Sequence, residues 1–377
     1  MQIPLRVALL LRPSVSPGIL LAVGFSTFAL ASTPFVIDLV IDEYGVSLTG
    51  ASLVGVAQLG GFVISSWAAG RYLSPHRRVF VITLVLAVVA NLLSATLPPY
   101  EVLIGLRFLS GVSLGMISWF AWVQVFGDDK GMGDIAVMGP LAGVAASPLI
   151  ALFATGGSNS VFLLLGLVAI APLVMNRGSG ATHRVPAPEA RSSPVPAAVI
   201  ILVALAMFMI GGSAVFQYAV VIGTGDLGLS RGTIALIMSA NAVVSIPAAK
   251  WPWNRGLPGP WMLTTAVCAL LASTTSIPVV FALSLIFWGF GFWMGLPSAF
   301  KVLADRSINP SDRAGDAQAV MAAGRVVGPL IGGLALDRWG AVALGIVGPG
   351  LMAGAALVVF SLRVLVPARR QVEAQPG

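Results

Sequence analysis

Charged residues are scarce in this sequence. Asp, Glu, Lys and Arg make up 9% of its 377 residues, against roughly a quarter in a soluble domain. With 57% hydrophobic residues beside that, the chain holds more apolar surface than one core could bury, which excludes a soluble globular protein. Cysteine is nearly absent. The single Cys268 lies in an apolar run, so no intrachain disulfide can form, and the redox compartment cannot be read from it. Histidine is limited to His76 and His183, both in polar stretches, and with one cysteine they cannot build a usual zinc site. No Walker-type phosphate loop is present, so ATP drive is not expected, and neither a metal nor a cofactor is implied.

What is present is a series of long apolar runs. A membrane crossing needs about 20 such residues, and by that ruler twelve candidate spans fall at about 17–40, 47–69, 79–97, 102–126, 133–154, 160–175, 196–222, 232–249, 259–277, 279–303, 314–336 and 341–363. The formal charge of +7 would point to nucleic acid in a soluble chain, but here the basic residues cluster between apolar runs and read as topology signals. Placing the N-terminus in the cytoplasm puts 17 of the 21 basic residues in inside loops and tails, with only Arg231 and Arg338 outside and Arg107 and Arg325 within spans. The opening MQIPLRVALLLRPSVSPG then reads as a cytoplasmic tail leading into a retained first span. The expectation is an all-α, multi-pass protein of the cytoplasmic (inner) membrane with both termini cytoplasmic.

One long polar break, residues 176–196, is rich in Pro, Ser and Gly and reads as a cytoplasmic linker between an N-terminal bundle (1–175) and a C-terminal bundle with a short tail (197–377). The halves are related. EYGVS (Glu43 to Ser47) matches DLGLS (Asp226 to Ser230), GPLAG (Gly139 to Gly143) matches GPLIG (Gly328 to Gly332), and Gly111 and Gly115 match Gly291 and Gly295, at offsets of 183, 189 and 180 residues. Such order and near-constant spacing imply a duplicated six-span unit, an arrangement found in transporters with a site between the repeats.

On these residues the chain resembles the major facilitator superfamily over essentially its whole length. LIGLRFLSGVSLG in span four carries Arg107 followed by Gly111, similar to a family motif. GPLAG in span five, with Gly139, Pro140 and Gly143, looks like part of the Gly-Pro motif of the family's antiporters, although Val144 and Ile135 stand where glycines are usual. The loop after span two keeps Gly70, Arg77 and Arg78 of the cytoplasmic gating motif but lacks its acid, having Leu73 or Ser74 near that place. The resemblance implies twelve helices in two pseudo-symmetric six-helix bundles. It also implies alternating access, as in the 12-span drug/proton antiporter-like branch, with a monomer in the bilayer, a small-molecule substrate and protons as partners, and no nucleic acid.

Two soluble-enzyme patterns are discounted. GVSLG around Ser113 fits a nucleophile elbow and GTGDLG (Gly223 to Gly228) a dinucleotide fingerprint, but each needs a preceding strand and a sheet. A membrane-embedded hydrolase remains the remote alternative of another class.

Charges inside spans are costly and usually face protein or a watery cavity. Arg107 shares a stripe with Gly111 and Gly115, and Asp38 one with Pro34, Ala31, Thr27 and Gly24. Both lie toward the outer ends of their spans, so Asp38 is read as a proton acceptor paired with Arg107. Asp134 and Asp316, at span starts, read as helix-terminal charges. Arg325 sits about 16 Å into span eleven, near the bilayer centre, followed by Gly328, Pro329 and Gly332. Two roles fit it, a structural clamp or attraction of an anion. In the superfamily spans one, four, seven and ten line the cavity, and Trp119, Trp122, Trp288 and Trp293 lie in spans four and ten, with Gln217, Tyr218 and Asn241 as hydrogen-bonding candidates. The expected function is proton-coupled efflux of a small amphipathic organic compound, with uptake or facilitated transport of an organic anion as the alternative.

The basic-residue asymmetry predicts the topology. Reporter fusions at residue 185 and at the C-terminus should both read cytoplasmic, and a periplasmic reading at 185 would reverse the orientation.

Overall fold

The computed structural model describes residues 15–125, 129–175, 194–250, 258–307 and 310–365, and among these the regular structure is helical, with no strand. The first expected span is a bent pair, α1 (Pro17–Ala31) and α2 (Thr33–Tyr44), turned by 46°. Pro34 lacks the N–H that would bond the Leu30 carbonyl and continue the ladder, and at the same break the Ser32 hydroxyl donates to the Ala29 carbonyl at 2.7 Å. Helices α3 (Leu48–Tyr72), α4 (Arg77–Ser94), α5 (Tyr100–Val125), α6 (Asp129–Ala154) and α7 (Ser158–Val174) complete the N-terminal half. The C-terminal half begins with another broken pair, α8 (Pro196–Phe216) and α9 (Ala219–Gly225). It continues with α10 (Arg231–Lys250), α11 (Pro258–Thr274), α12 (Pro278–Asp305) and α13 (Pro310–Leu365), and α13 is divided at Gly340, where φ is 74°.

Seven stretches are long and apolar enough to cross a membrane, and the bent α1–α2 pair makes eight. One of the seven is the 44-residue stretch Ala319–Leu362, which Gly340 breaks where the sequence places a loop, and Met138–Ala154 and Ser158–Val174 are shorter apolar helices. The expected linker, 176–196, lies outside the described residues up to 193.

The duplication read from short matches is visible in the backbone. Gly45 and Gly228, the central residues of EYGVS and DLGLS, adopt nearly the same left-handed conformation, with φ of 62° and 63°. The serine two residues on caps the following helix in both halves, Ser47 accepting from the Gly50 N–H at 3.0 Å and Ser230 from the Thr233 N–H at 3.1 Å. Gly157 and Gly340 likewise share a positive φ before the last helix of each half. The matched glycines of spans four and ten differ, however, in what they touch. Gly111 and Gly115 lie against the α3 backbone, whereas Gly291 and Gly295 lie against α11.

Helices here meet through backbone, because lipid supplies no hydrophobic drive for them to associate. Gly61 of α3 faces the Phe108 carbonyl of α5, and Gly111 and Gly115 face the carbonyls of Gln58 and Phe62 in return. In the other half Gly324, Gly328 and Gly332 of α13 run along α8, against Ala206, Ile210 and Ala214. The halves meet through α3 on α13, α6 on α10, and the two short segments α2 and α9. The first two pairings exchange under the duplication, which relates span two to eight and span five to eleven.

At Gly111 any Cβ would collide with the Gln58 backbone, while at Gly105 on the same helix it would meet nothing within 4 Å. Gly111→Ala should therefore destabilise the protein by about 1–3 kcal/mol, the range of overpacking. Gly105→Ala should leave thermal unfolding in detergent unchanged or slightly raised. Equal effects would contradict the packing described.

Candidate functional site

Helices α8, α10, α12 and α13 enclose a cavity of about 250 Å³ in the C-terminal half. On α8 the lining residues Gly212 and Ser213 stand three and four residues after Met209, and Phe216 stands four and three after them, the spacing of one helix face. Gly212 keeps that wall thin, since a Cβ there would reach Trp288 and Met352 only at ordinary contact, 3.7–3.9 Å. Gly289 on α12 lets Asn241 of α10 approach, and the Asn241 amide donates to the Leu285 carbonyl at 2.6 Å. The walls are aromatic. Phe208 stacks on Phe292 with ring centroids 6.0 Å apart, Trp293 meets Phe292 edge-on at 6.0 Å, and Phe216 tilts over Trp288 at 5.6 Å.

Into this cavity come Arg325 from α13 and Gln217 from the end of α8. Arg325 is the one charged residue in the lining. No hydrogen bond or ion pair engages it among the described residues, and the side-chain oxygen of Gln217 is buried without a partner.

Of the candidates named from sequence, Gln217, Asn241, Trp288, Trp293 and Arg325 converge here. Trp119 and Trp122 are not part of this lining; Trp122 is 40% exposed and Trp119 packs edge-on against Phe120. Tyr218 is fully buried beside the cavity, its hydroxyl donating to the Pro329 carbonyl at 2.8 Å and lying 3.5 Å from the Leu48 carbonyl of the other half. Phe208, Phe216 and Met352 were missed; the periodic α8 stripe was the available signal for Phe216.

The expected pairing of Asp38 with Arg107 is not formed. Arg107 is 1% exposed and lies inside the N-terminal half, donating to the Ser94 hydroxyl at 2.7 Å, the Asn91 amide oxygen at 3.0 Å and the Ala90 carbonyl at 3.4 Å, with its guanidinium over the Phe162 ring. Asp38 pairs instead with Arg231, the first residue of α10, at 2.6 Å, and lies 3.3 Å from the Thr224 hydroxyl. Arg231 also reaches the exposed Asp42 at 2.8 Å. A cation opening a helix works against the helix dipole, and the two carboxylates offset it. At the same end of the bundle, Asp337 accepts from the Leu48 and Thr49 N–H groups at 3.1 and 2.8 Å and from the Thr49 hydroxyl, so a carboxylate of one half caps the α3 N-terminus of the other. These contacts form a latch between the halves at one end of the bundle.

The Gly-Pro motif of span five also faces the opposite half. A Cβ at Gly143 would lie 3.3 Å from Ala242, and the Ser239 hydroxyl donates to the Val144 carbonyl at 2.9 Å, while Pro140 is buried inside α6 and Gly139 has open space around it. Gly70 lies near the end of α3, and Arg77 and Arg78 open α4 exposed. Asp134 and Asp316 sit beyond the first turn of α6 and α13, because both helices begin earlier than the apolar pattern does, which corrects the helix-terminal placement. Ser113 is buried with its hydroxyl donated to the Ser110 carbonyl at 2.6 Å, an arrangement of helix packing.

The Major Facilitator Superfamily model matches residues 19–325. The chain belongs to the major facilitator superfamily. Solved transporters share its fold at low identity. A nucleoside transporter (D323A mutant) is 13% identical with a TM-score of 0.68, covering 92% of this chain and 99% of that one. A D-xylose-proton symporter is 16% identical at 0.69, covering 91% and 97%. A peptide-transporter relative of the POT family, PepTSo, is 11% identical at 0.72, covering 93% and 97%. No curated protein sequence matches the chain. Membership in this superfamily makes the chain a membrane transporter by fold.

One terminal nitrogen of Arg107 donates to neutral groups of its own half while its Nε is buried without a partner, and among the described residues no group of the other half engages it, so its role is structural. Arg107→Leu should lower stability by about 1–3 kcal/mol by leaving the Asn91 and Ser94 oxygens without their donor. In a double-mutant cycle with Asp38→Asn the effects should add within about 0.5 kcal/mol, and a larger coupling in mixed-micelle unfolding would restore the pair read from sequence.

Proposed function

We propose that this superfamily member is a twelve-span transporter of two six-helix bundles, residues 1–175 and 197–377 joined by a cytoplasmic linker. It exports a small amphipathic organic compound across the cytoplasmic membrane in exchange for protons. The observation that carries the alternating-access part is the pairing of a closed latch with an aromatic cavity behind it. By the basic-residue bias the Asp38 end faces outward, so the latched state is the one closed to the outside. Export then requires the latch to part while the cavity is loaded.

Asp38 is the carboxylate assigned to the proton. Among the described residues it is the one buried carboxylate, at 8% exposure, and its charge holds Arg231 across the halves. Protonation removes that attraction and leaves a weak neutral contact, which couples a proton to opening. The exposed Arg231–Asp42 contact contributes little alone, on the scale of about 0.2–1 kcal/mol for surface pairs. The α3 cap by Asp337 adds a charge–dipole term of about 0.3–1 kcal/mol.

Two measurements test the reading. In proteoliposomes with a panel of compounds, an imposed pH gradient should drive transport in the parent and not in Asp38→Asn; equal response in both would remove Asp38 from coupling. In a Cys268→Ser background, a cysteine at Gln217 should react with an impermeant maleimide from outside about five times faster in Arg231→Gln or Asp337→Asn than in the parent, as a shift of about 1 kcal/mol implies. Unchanged labelling would mean that these contacts do not hold the outer face shut.

A further inference from the structure

The two arginines within the spans answer the same energetic problem differently. A charge among transmembrane helices is costly unless protein or water compensates it. Arg107 directs one terminal nitrogen to Asn91, Ser94 and the Ala90 carbonyl and lies over the Phe162 ring inside the N-terminal half, with its Nε left buried and unpartnered and no part in the cavity lining. Arg325, midway along the part of α13 before Gly340, has no such shell among the described residues, and it borders empty space. Its five donors therefore point toward a site that something else must fill.

We infer that Arg325 is the counter-charge for a small aromatic monocarboxylate bound in the C-terminal cavity, with the orphaned oxygen of Gln217 accepting a hydrogen bond from the same ligand. The inference rests on the transporter reading only for what happens after binding. Each property of the ligand follows from a wall. The cavity holds one cationic residue and no acidic one, so a cation is disfavoured and a dianion would keep an unneutralised charge. A guanidinium fork matches a carboxylate with two parallel hydrogen bonds. The Phe208–Phe292 stack, Trp293 and the Phe216–Trp288 pair give flat apolar faces for a ring. A volume of about 250 Å³ falls just below the range of about 300–1,000 Å³ that suits drug-sized molecules, which limits the ligand to one or two rings. All the lining residues belong to the C-terminal half, so the site is assembled whether the latch is open or closed.

The test compares acids with uncharged isosteres on the purified full-length protein in nanodiscs. Benzoate, phenylacetate and indole-3-acetate are titrated against their amides and against benzylamine, with chloride and inorganic phosphate as ring-free anions, by calorimetry and by quenching of tryptophan fluorescence. At least one acid should bind about tenfold or more tightly than its amide, as a charged hydrogen bond implies, and more tightly than benzylamine, chloride or phosphate. Arg325→Gln should erase the acid–amide difference, and Arg325→Lys should keep part of it, since Lys retains charge without the fork. Gly212→Ala, which fills the cavity without a clash, should weaken every bound ring compound. Amides binding as well as acids, no acid binding at all, or an acid preference that survives Arg325→Gln would overturn the inference; thermal unfolding of each variant separates loss of binding from loss of fold. Failure of the two readings is distinguishable. Charge-selective binding without passage through proteoliposomes would sink the transport reading and leave the site, whereas transport of uncharged compounds unaffected by Arg325→Gln would do the reverse.

Discussion

Helices in a bilayer gain nothing from hiding apolar side chains from one another, because the lipid tails are as apolar as they are. What holds this protein together is close backbone approach, which glycine permits, and the architecture follows from where glycines fall. Within the N-terminal half Gly61, Gly111 and Gly115 lock α3 to α5, and within the C-terminal half Gly324, Gly328 and Gly332 lock α13 to α8. Between the halves the same kind of approach recurs at Gly333 against the Thr49 backbone, and is looser at Gly143 beside Ala242. The polar latch at Asp38, Arg231 and Asp337 is then what distinguishes one relative position of the halves from another.

Polar chemistry is distributed along the same division. The N-terminal half packs its buried arginine among its own neutral groups, and the C-terminal half leaves its own arginine facing a cavity. Arg107 is thus a packing element despite its charge, and Arg325 is an unfilled one. The two share a residue type and differ in what surrounds them.

Much of this was legible in the amino-acid pattern. Apolar runs, the basic bias and the repeated EYGVS and DLGLS turns reflect local rules, namely bilayer thickness and the left-handed glycine that ends α2 and recurs after α9, and local rules survive in sequence. The glycine spacing after Arg325 placed it against protein or at a cavity edge for the same reason. Partner identity was not legible. A helical stripe says that Asp38 faces protein but not which helix it meets, and its partner Arg231, 193 residues away, looked like a loop charge because a basic residue at a span boundary normally reports topology. Trp119 and Trp122 misled for a related reason, since an aromatic on a cavity-lining helix has several faces on which to sit, and here Trp122 turns outward.

The cap that Asp337 places on α3 has a consequence for the solvent at that face. Parting the halves strips two backbone N–H groups of their carboxylate acceptor, so the first turn of α3 becomes an exposed positive pole. Mobile ions compensate such a pole and weaken the attraction across the junction, over a screening distance of about 8 Å at physiological ionic strength. The open and closed arrangements of this protein are therefore not equally sensitive to their medium, and the electrolyte bathing the latch acts on the conformational balance without touching the cavity.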